Sequence, residues 1–162
     1  MFNIHDLRLG SGRLGIAPLP GTTGAYEMDL RQMLAWRPDL VISMTTHTEM
    51  GEAGAADLGH DLAAQEVKWR HLPVVDFGTP DEHTQWAWPD LSHAARQVLR
   101  DGGRVLIHCR GGCGRSGMAA LRLMVEMGEE ADLALARLRT VRPCAVETDA
   151  QFVWAAQSER QL

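Results

Sequence analysis

Arg104-Val105-Leu106-Ile107-His108-Cys109-Arg110-Gly111-Gly112-Cys113-Gly114-Arg115-Ser116-Gly117 is the stretch from which the fold and chemistry of this chain can be worked outward. Arg104 to Ile107 is apolar and β-branched, while Ser116 to Met127 sets Met118, Leu121 and Val125 at helical spacing among good helix formers. The residues between are predicted to join a buried strand to a helix N-terminus. There the first backbone N–H groups lack intrahelical partners and the helix dipole favours negative charge. Gly111, Gly112 and Gly114 are expected to turn the loop amides inward through positive φ angles. Those amides favour a thiolate at Cys109, and Arg115, six positions on, offers a planar fork for two oxygens of a tetrahedral anion. The Ser116 hydroxyl can donate to the sulfur, and His108 orients the loop through its ring nitrogens. A buried cysteine or a glycine-rich turn means little alone. Together with Arg115 they point to a site that handles an oxyanion and carries a nucleophile. A Walker-type loop is excluded, because the segment has no lysine.

The flanks predict alternating strands and helices. Leu14 to Ala17 reads as a strand closed by Pro18-Leu19-Pro20-Gly21, Tyr26 to Trp36 as a helix ended by Arg37-Pro38, and Leu40 to Met44 as a buried parallel strand. Ala53 to Gln65 reads as a helix weakened by Gly54 and Gly59, and Val67 to Val75 as a strand that Pro73 assigns to an edge or end. Two helices follow the loop, Ala131 to Thr140 and Thr148 to Glu159, the second capped by Thr148. Such alternation predicts a mainly parallel sheet covered on both faces, with functional loops at the carboxyl ends of strands. Trp86, Trp88 and Trp154 are assigned to packing.

The 162 residues, 45% of them hydrophobic, suit one domain spanning 1–162. No basic n-region precedes an apolar block and no run of apolar residues is long enough to cross a bilayer, so the expectation is a cytoplasmic monomer. Three cysteines argue against a disulfide framework. A net charge of −5 disfavours sequence-independent binding to nucleic acid or anionic membrane.

His108 to Ser116 resembles the H-C-x-x-G-x-x-R-S signature of the cysteine-dependent protein tyrosine and dual-specificity phosphatases. With Leu14 to Gly21 and Asp76-Phe77-Gly78-Thr79-Pro80-Asp81, it makes most of the chain similar to the kinase-associated phosphatases. The resemblance implies a three-layer α/β fold of the protein tyrosine phosphatase type. It also implies hydrolysis of phosphate monoesters on a phosphoprotein through a phosphocysteine, with no metal and no cofactor. Cys109, Arg115, Asp76 and Ser116 are then the catalytic residues, and Arg110, Gly111, Gly112, Cys113, Gly114 and Arg115 hold the phosphate. Short loops suggest a shallow pocket, open to phosphotyrosine and to phosphoserine and phosphothreonine.

Expulsion of an alkoxide or phenoxide needs an acid beside the loop. The family's Asp-x-x-x-Pro loop assigns this role to Asp76, with Asp81 as the alternative; Phe77 stands where those phosphatases usually carry glycine. By the same resemblance Glu147 and Gln151 are candidates to place the hydrolytic water, and helix capping is an equal alternative. Cys113 or Cys144 is a candidate partner for an oxidised Cys109. Two other functions share the loop: a phosphoinositide or RNA 5′-phosphatase, which calls for more basic residues than Arg110 alone, and a non-catalytic phosphate-binding module.

Overall fold

A strand of consecutive large apolar residues needs cover on both faces. Val105, Leu106 and Ile107 are all 0% exposed in the computed structural model, which describes residues 1–157. The strands are β1 (His5–Leu9), β2 (Gly12–Ala17), β3 (Leu40–Ser43), β4 (Lys68–His71) and β5 (Arg104–His108). They form one sheet in the order β1-β2-β5-β3-β4. Strand β5 pairs in parallel with β2 and β3, β3 pairs in parallel with β4, and β1 closes the other edge antiparallel to β2.

The helices are α1 (Tyr26–Ala35), α2 (His47–Glu52), α3 (Leu58–Ala64), α4 (Glu82–Arg100), α5 (Gly114–Glu126), α6 (Ala131–Val141) and α7 (Asp149–Ala156). Alternation along β5 divides them into two layers. Leu106 packs with Val41, Met33, Met50, Leu58 and Leu62, which puts α1 to α3 on one face. Val105 and Ile107 pack with Leu14, Ile42, Trp88, Leu121, Leu138 and Trp154, which puts α4 to α7 on the other. The three-layer α/β architecture is as expected, with a sheet that is mixed and mostly parallel.

Several elements differ from expectation. The helix expected over 53–65 forms only as the short α3; an unexpected helix, α2, precedes it and is ended by Gly54 at φ +73°, with Ala55 N–H turning back to Met50 O. The strand expected over 67–75 pairs only at Lys68–His71. Past it, Leu72 and Val74 still donate to Ser43 O and Met44 O, while Pro73 has no N–H to give, so the chain continues beside β3 as an irregular extension to Val74, just before Asp76. Strand β1 and the 19-residue α4 were not expected at all. Helix α7 begins after its Thr148 cap as anticipated, and its expected end at Glu159 lies outside the described residues. Trp88 and Trp154 are core residues in edge contact at 5.0 Å, but Trp86 is 85% exposed and does not pack.

Candidate active site

Peptide planarity shows how the 109–115 loop is aimed. In a trans peptide the C=O of one residue and the N–H of the next point in opposite directions, so a carbonyl anchored outward sends the following amide inward. Arg110 O accepts from Leu19 N–H at 3.0 Å, Gly111 O and Gly112 O accept from Arg142 Nη2 and Nε at 3.0 and 2.9 Å, and Cys113 O accepts from Gly117 N–H at 2.9 Å. The N–H groups of Gly111, Gly112, Cys113 and Gly114 therefore converge on the opposite side, where the cleft lies. The loop runs directly into α5, and its N-cap residue Cys113 supplies no side-chain cap, leaving the first-turn amides of Arg115 and Ser116 for an anion.

The glycines serve different ends than expected. Only Gly112 has a positive φ, +74°, and a Cβ there would meet Ala17 C at 2.8 Å. Gly114 lies close under Glu147 instead: a Cβ would meet Glu147 Oε1 at 2.1 Å, and the glutamate side chain would have to move aside. Gly111 has neither constraint.

Cys109, 3% exposed, lies on the floor of a cleft of about 380 Å³ lined also by Thr22, Asp76, Phe77, Arg110, Gly111, Cys113, Gly114 and Glu147. Its Sγ is 3.2 Å from Ser116 Oγ. Arg115 is 1% exposed and fully gripped at one end, with Nη1 and Nη2 donating to the two Glu49 oxygens at 2.7 and 2.8 Å and Nη1 also donating to Val74 O. Its Nε is buried and has no partner among the described residues, which leaves a donor for an oxyanion. Burial opposes the Arg115 charge, but Glu49, Cys109 and Asp76 outweigh it and raise its pKa. The Arg115 hydrogen bonds hold the Glu49 carboxyl down to about 2 against its own burial.

Sequence reasoning missed Glu49, although Thr46-x-x-Glu49 is a capping-box pattern. That box is formed, and one Glu49 oxygen serves both Thr46 and Arg115. Arg142 was also missed; nothing in its local sequence distinguishes it.

Asp76 and Asp81 are used differently. Asp76 lines the cleft, and its Oδ1 is 3.3 Å from Arg115 Nη2. Asp81 caps α4, accepting from Thr84 N–H at 2.8 Å and from Thr84 Oγ1. Phe77 takes the left-handed conformation that glycine favours, φ +62°, at a cost of about 1–2 kcal/mol for an L side chain. Its ring is 60% exposed beside the cleft and stays out of the core.

Glu147 faces the cleft, whereas Gln151 is fully buried and committed: Oε1 accepts from Glu147 and Thr148 N–H, and Nε2 donates to Gly78 O. Gln151 thus ties the start of α7 to the loop that carries Asp76. Arg110 is exposed at the lip, lining both this cleft and a smaller one formed with Leu19, Thr22, Glu49, Glu52 and Ala53.

The cysteines overturn an expectation. Cys113 and Cys144 are bonded to each other, their Cα atoms 5.2 Å apart, and Cys109 alone is free. Neither is available to trap an oxidised Cys109 while that bond stands. Only the tertiary structure brings these two positions, 31 residues apart in sequence, within bridging distance.

His108 is 0% exposed and sits in a relay: Trp69 Nε1 donates to Ser43 Oγ, Ser43 Oγ meets His108 Nε2 at 2.5 Å, and His108 Nδ1 meets Cys109 O at 3.2 Å. The network assigns a neutral ring that donates from Nδ1. Burial pushes its pKa down to about 4. The unfolded chain, titrating near 6.5, binds a proton first as the pH falls. Stability from this group is therefore complete above about 6.5 and is lost down to about 4, on the order of 3 kcal/mol. Urea midpoints at pH 7 and pH 4.5 should show that fall, and His108→Gln should flatten it; an equal slope in the variant would assign the loss elsewhere.

Comparison with known proteins places the fold and the family. Rat cyclin-dependent kinase inhibitor 3 is 33% identical over 86% of this chain and 68% of its own length. The crystal structure of kinase associated phosphatase, solved with its catalytic-site cysteine replaced by serine, shares the fold at a TM-score of 0.81 and 24% identity, covering 95% of this chain and 92% of that one. Tk-PTP in its active form superposes at a TM-score of 0.67 with 27% identity over 88% of each chain. Residues 21–153 match the family model described as PTP-SAK, Swiss Army Knife protein, DSP-PTPase phosphatase domain. The chain belongs to this family of DSP-PTPase phosphatase domains.

Proposed function

We propose that this phosphatase hydrolyses phosphotyrosine, phosphoserine and phosphothreonine on proteins through a Cys109 phosphoenzyme. The observation that carries the reading is a cleft floored by Cys109 and lined by a loop whose four carbonyls are all anchored elsewhere, beside a buried Arg115 whose Nε has no partner among the described residues.

Cys109 attacks phosphorus as the thiolate, the S–P bond forming as the ester O–P bond breaks, and Asp76 gives its proton to the departing oxygen. Arg115 and the amides hold the phosphoryl oxygens as charge moves onto them. Water then attacks phosphorus, Asp76 takes its proton, and the Cys109 thiolate leaves with the Ser116 hydroxyl donating to it. Glu147 is the better placed of the two water-orienting candidates, since it faces the cleft while both ends of the Gln151 amide are engaged by backbone groups.

The side chains of Thr22, Phe77 and Arg110 line the cleft and are exposed, which supports a shallow pocket open to both aromatic and aliphatic phosphoresidues. Arg110 is the one basic side chain in the loop besides Arg115, which favours a single phosphate over a polyphosphorylated ring. Matched phosphotyrosine and phosphothreonine peptides should both be turned over with kcat/KM at least about tenfold above that for soluble inositol phosphates. The opposite ranking would transfer the assignment to phosphoinositides.

A further inference from the structure

The outward carbonyls of the phosphate loop are not all held alike. Arg110 O and Cys113 O are secured by backbone N–H groups, from Leu19 and from Gly117 and Val146. Gly111 O and Gly112 O, at the most pliable part of the loop, both depend on the Arg142 guanidinium. Its Nη2 also lies 3.6 Å from Cys113 Sγ, and Cys144, two residues further on, is bonded to Cys113. Arg139 donates to Ala145 O and Val146 O, tying the same segment back to α6.

We infer that Arg142 and the Cys113–Cys144 disulfide form a clasp that keeps the phosphate loop in its anion-binding shape. Arg142 is then a positioning residue, and the state of the disulfide governs affinity for tetrahedral anions. The physical reason lies in the peptide between Gly111 and Gly112. Were that peptide to flip, Gly111 O would turn into the cleft and present a negative dipole to a dianion where the Gly112 N–H now offers a donor. Glycine backbones oppose such a flip weakly. The charge-assisted hydrogen bond from Arg142 Nη2 to Gly111 O opposes it directly, and the bond from Nε to Gly112 O holds the next peptide, provided the guanidinium stays in register. The disulfide supplies that register by fixing residues 142–144 against the loop. A dithiol reductant undoes it by passing two electrons and two protons to the sulfur pair, yielding two thiols and the reductant's own disulfide and leaving the Cys109 thiol unchanged.

This inference rests on the loop being the phosphate site, and the test separates the two. The natural protein is assayed for p-nitrophenyl phosphate hydrolysis, with tungstate as an inert tetrahedral competitor. One portion is kept oxidised; the other is reduced with dithiothreitol and desalted without air, and thiol titration of the unfolded chain verifies each state. Reduction should raise the tungstate inhibition constant about five- to tenfold, with kcat/KM falling in step. Cys144→Ser should show the weaker constant without reductant and no further response to it. Arg142→Met should weaken tungstate about tenfold and Arg142→Lys should recover part of the loss, since a lysine reaches one carbonyl but not two. If Arg142→Met does not fold, the reduced protein and Cys144→Ser carry the test, because both retain the guanidinium. Inhibition constants within twofold of the oxidised protein in both of these would overturn the clasp. Failure of tungstate to inhibit even the oxidised protein would instead sink the phosphate-site reading.

Discussion

Cys109→Ser is expected to lower turnover of p-nitrophenyl phosphate by at least about 10⁴-fold while leaving phosphate bound with nearly unchanged affinity. The expectation follows from the separation of tasks in the cleft. Anion binding belongs to the loop amides and to Arg115, whose guanidinium is fixed by Glu49 and Val74 rather than by Cys109. The bond to phosphorus belongs to sulfur alone. A serine hydroxyl at this position is a far weaker nucleophile, because it stays protonated at neutral pH. It keeps the size of the side chain and its contact with Ser116, so the loop has no cause to rearrange. Calorimetric titration with inorganic phosphate measures the first quantity and steady-state hydrolysis the second. Substantial turnover by the variant would rule out a phosphocysteine. Loss of phosphate binding would mean that sulfur also organises the loop.

Asp76→Asn should depress kcat about 10²- to 10³-fold on phosphothreonine and phosphotyrosine peptides, and much less on p-nitrophenyl phosphate. The contrast is the diagnostic part: p-nitrophenolate departs without a proton, whereas an alkoxide cannot, so only the natural type of leaving group exposes the missing acid. Asp81→Asn serves as the control. Asp81 is the N-cap of α4, and asparagine caps almost as well, so turnover should change by less than about threefold. If the two variants exchange these results, Asp81 is the acid and the cleft must rearrange on binding substrate, since Asp81 does not line it.

How far the chain could be read without its fold differed from element to element. The run from Arg104 to Gly117 was legible because its chemistry is local: a buried strand, a turn rich in glycine and the start of a helix follow one another in sequence, and both Cys109 and Arg115 ride on them. Helix α4 was missed although Trp88, Leu91, Ala95 and Leu99 recur at helical spacing, because Pro89 inside it reads as a breaker and its stability comes from packing those four residues against β5 and α5. The error at Trp86 has the same root: an aromatic residue looks alike in sequence whether or not a neighbouring layer covers it.

The amino-acid sequence by itself determined the central strand, the anion-binding loop and the two residue types its chemistry needs, since each follows from neighbours a few positions apart. The tertiary structure alone decided what holds that chemistry in place. Glu49 reaches Arg115 across 66 residues, Arg142 reaches Gly111 and Gly112 across about 30, and Cys144 closes on Cys113 rather than on Cys109. Contacts at such separations leave no periodic trace in the chain. They exist only because β3 and β5 end side by side, which brings Glu49 to Arg115, and because α6 packs on α5 and returns residues 142–144 to the loop.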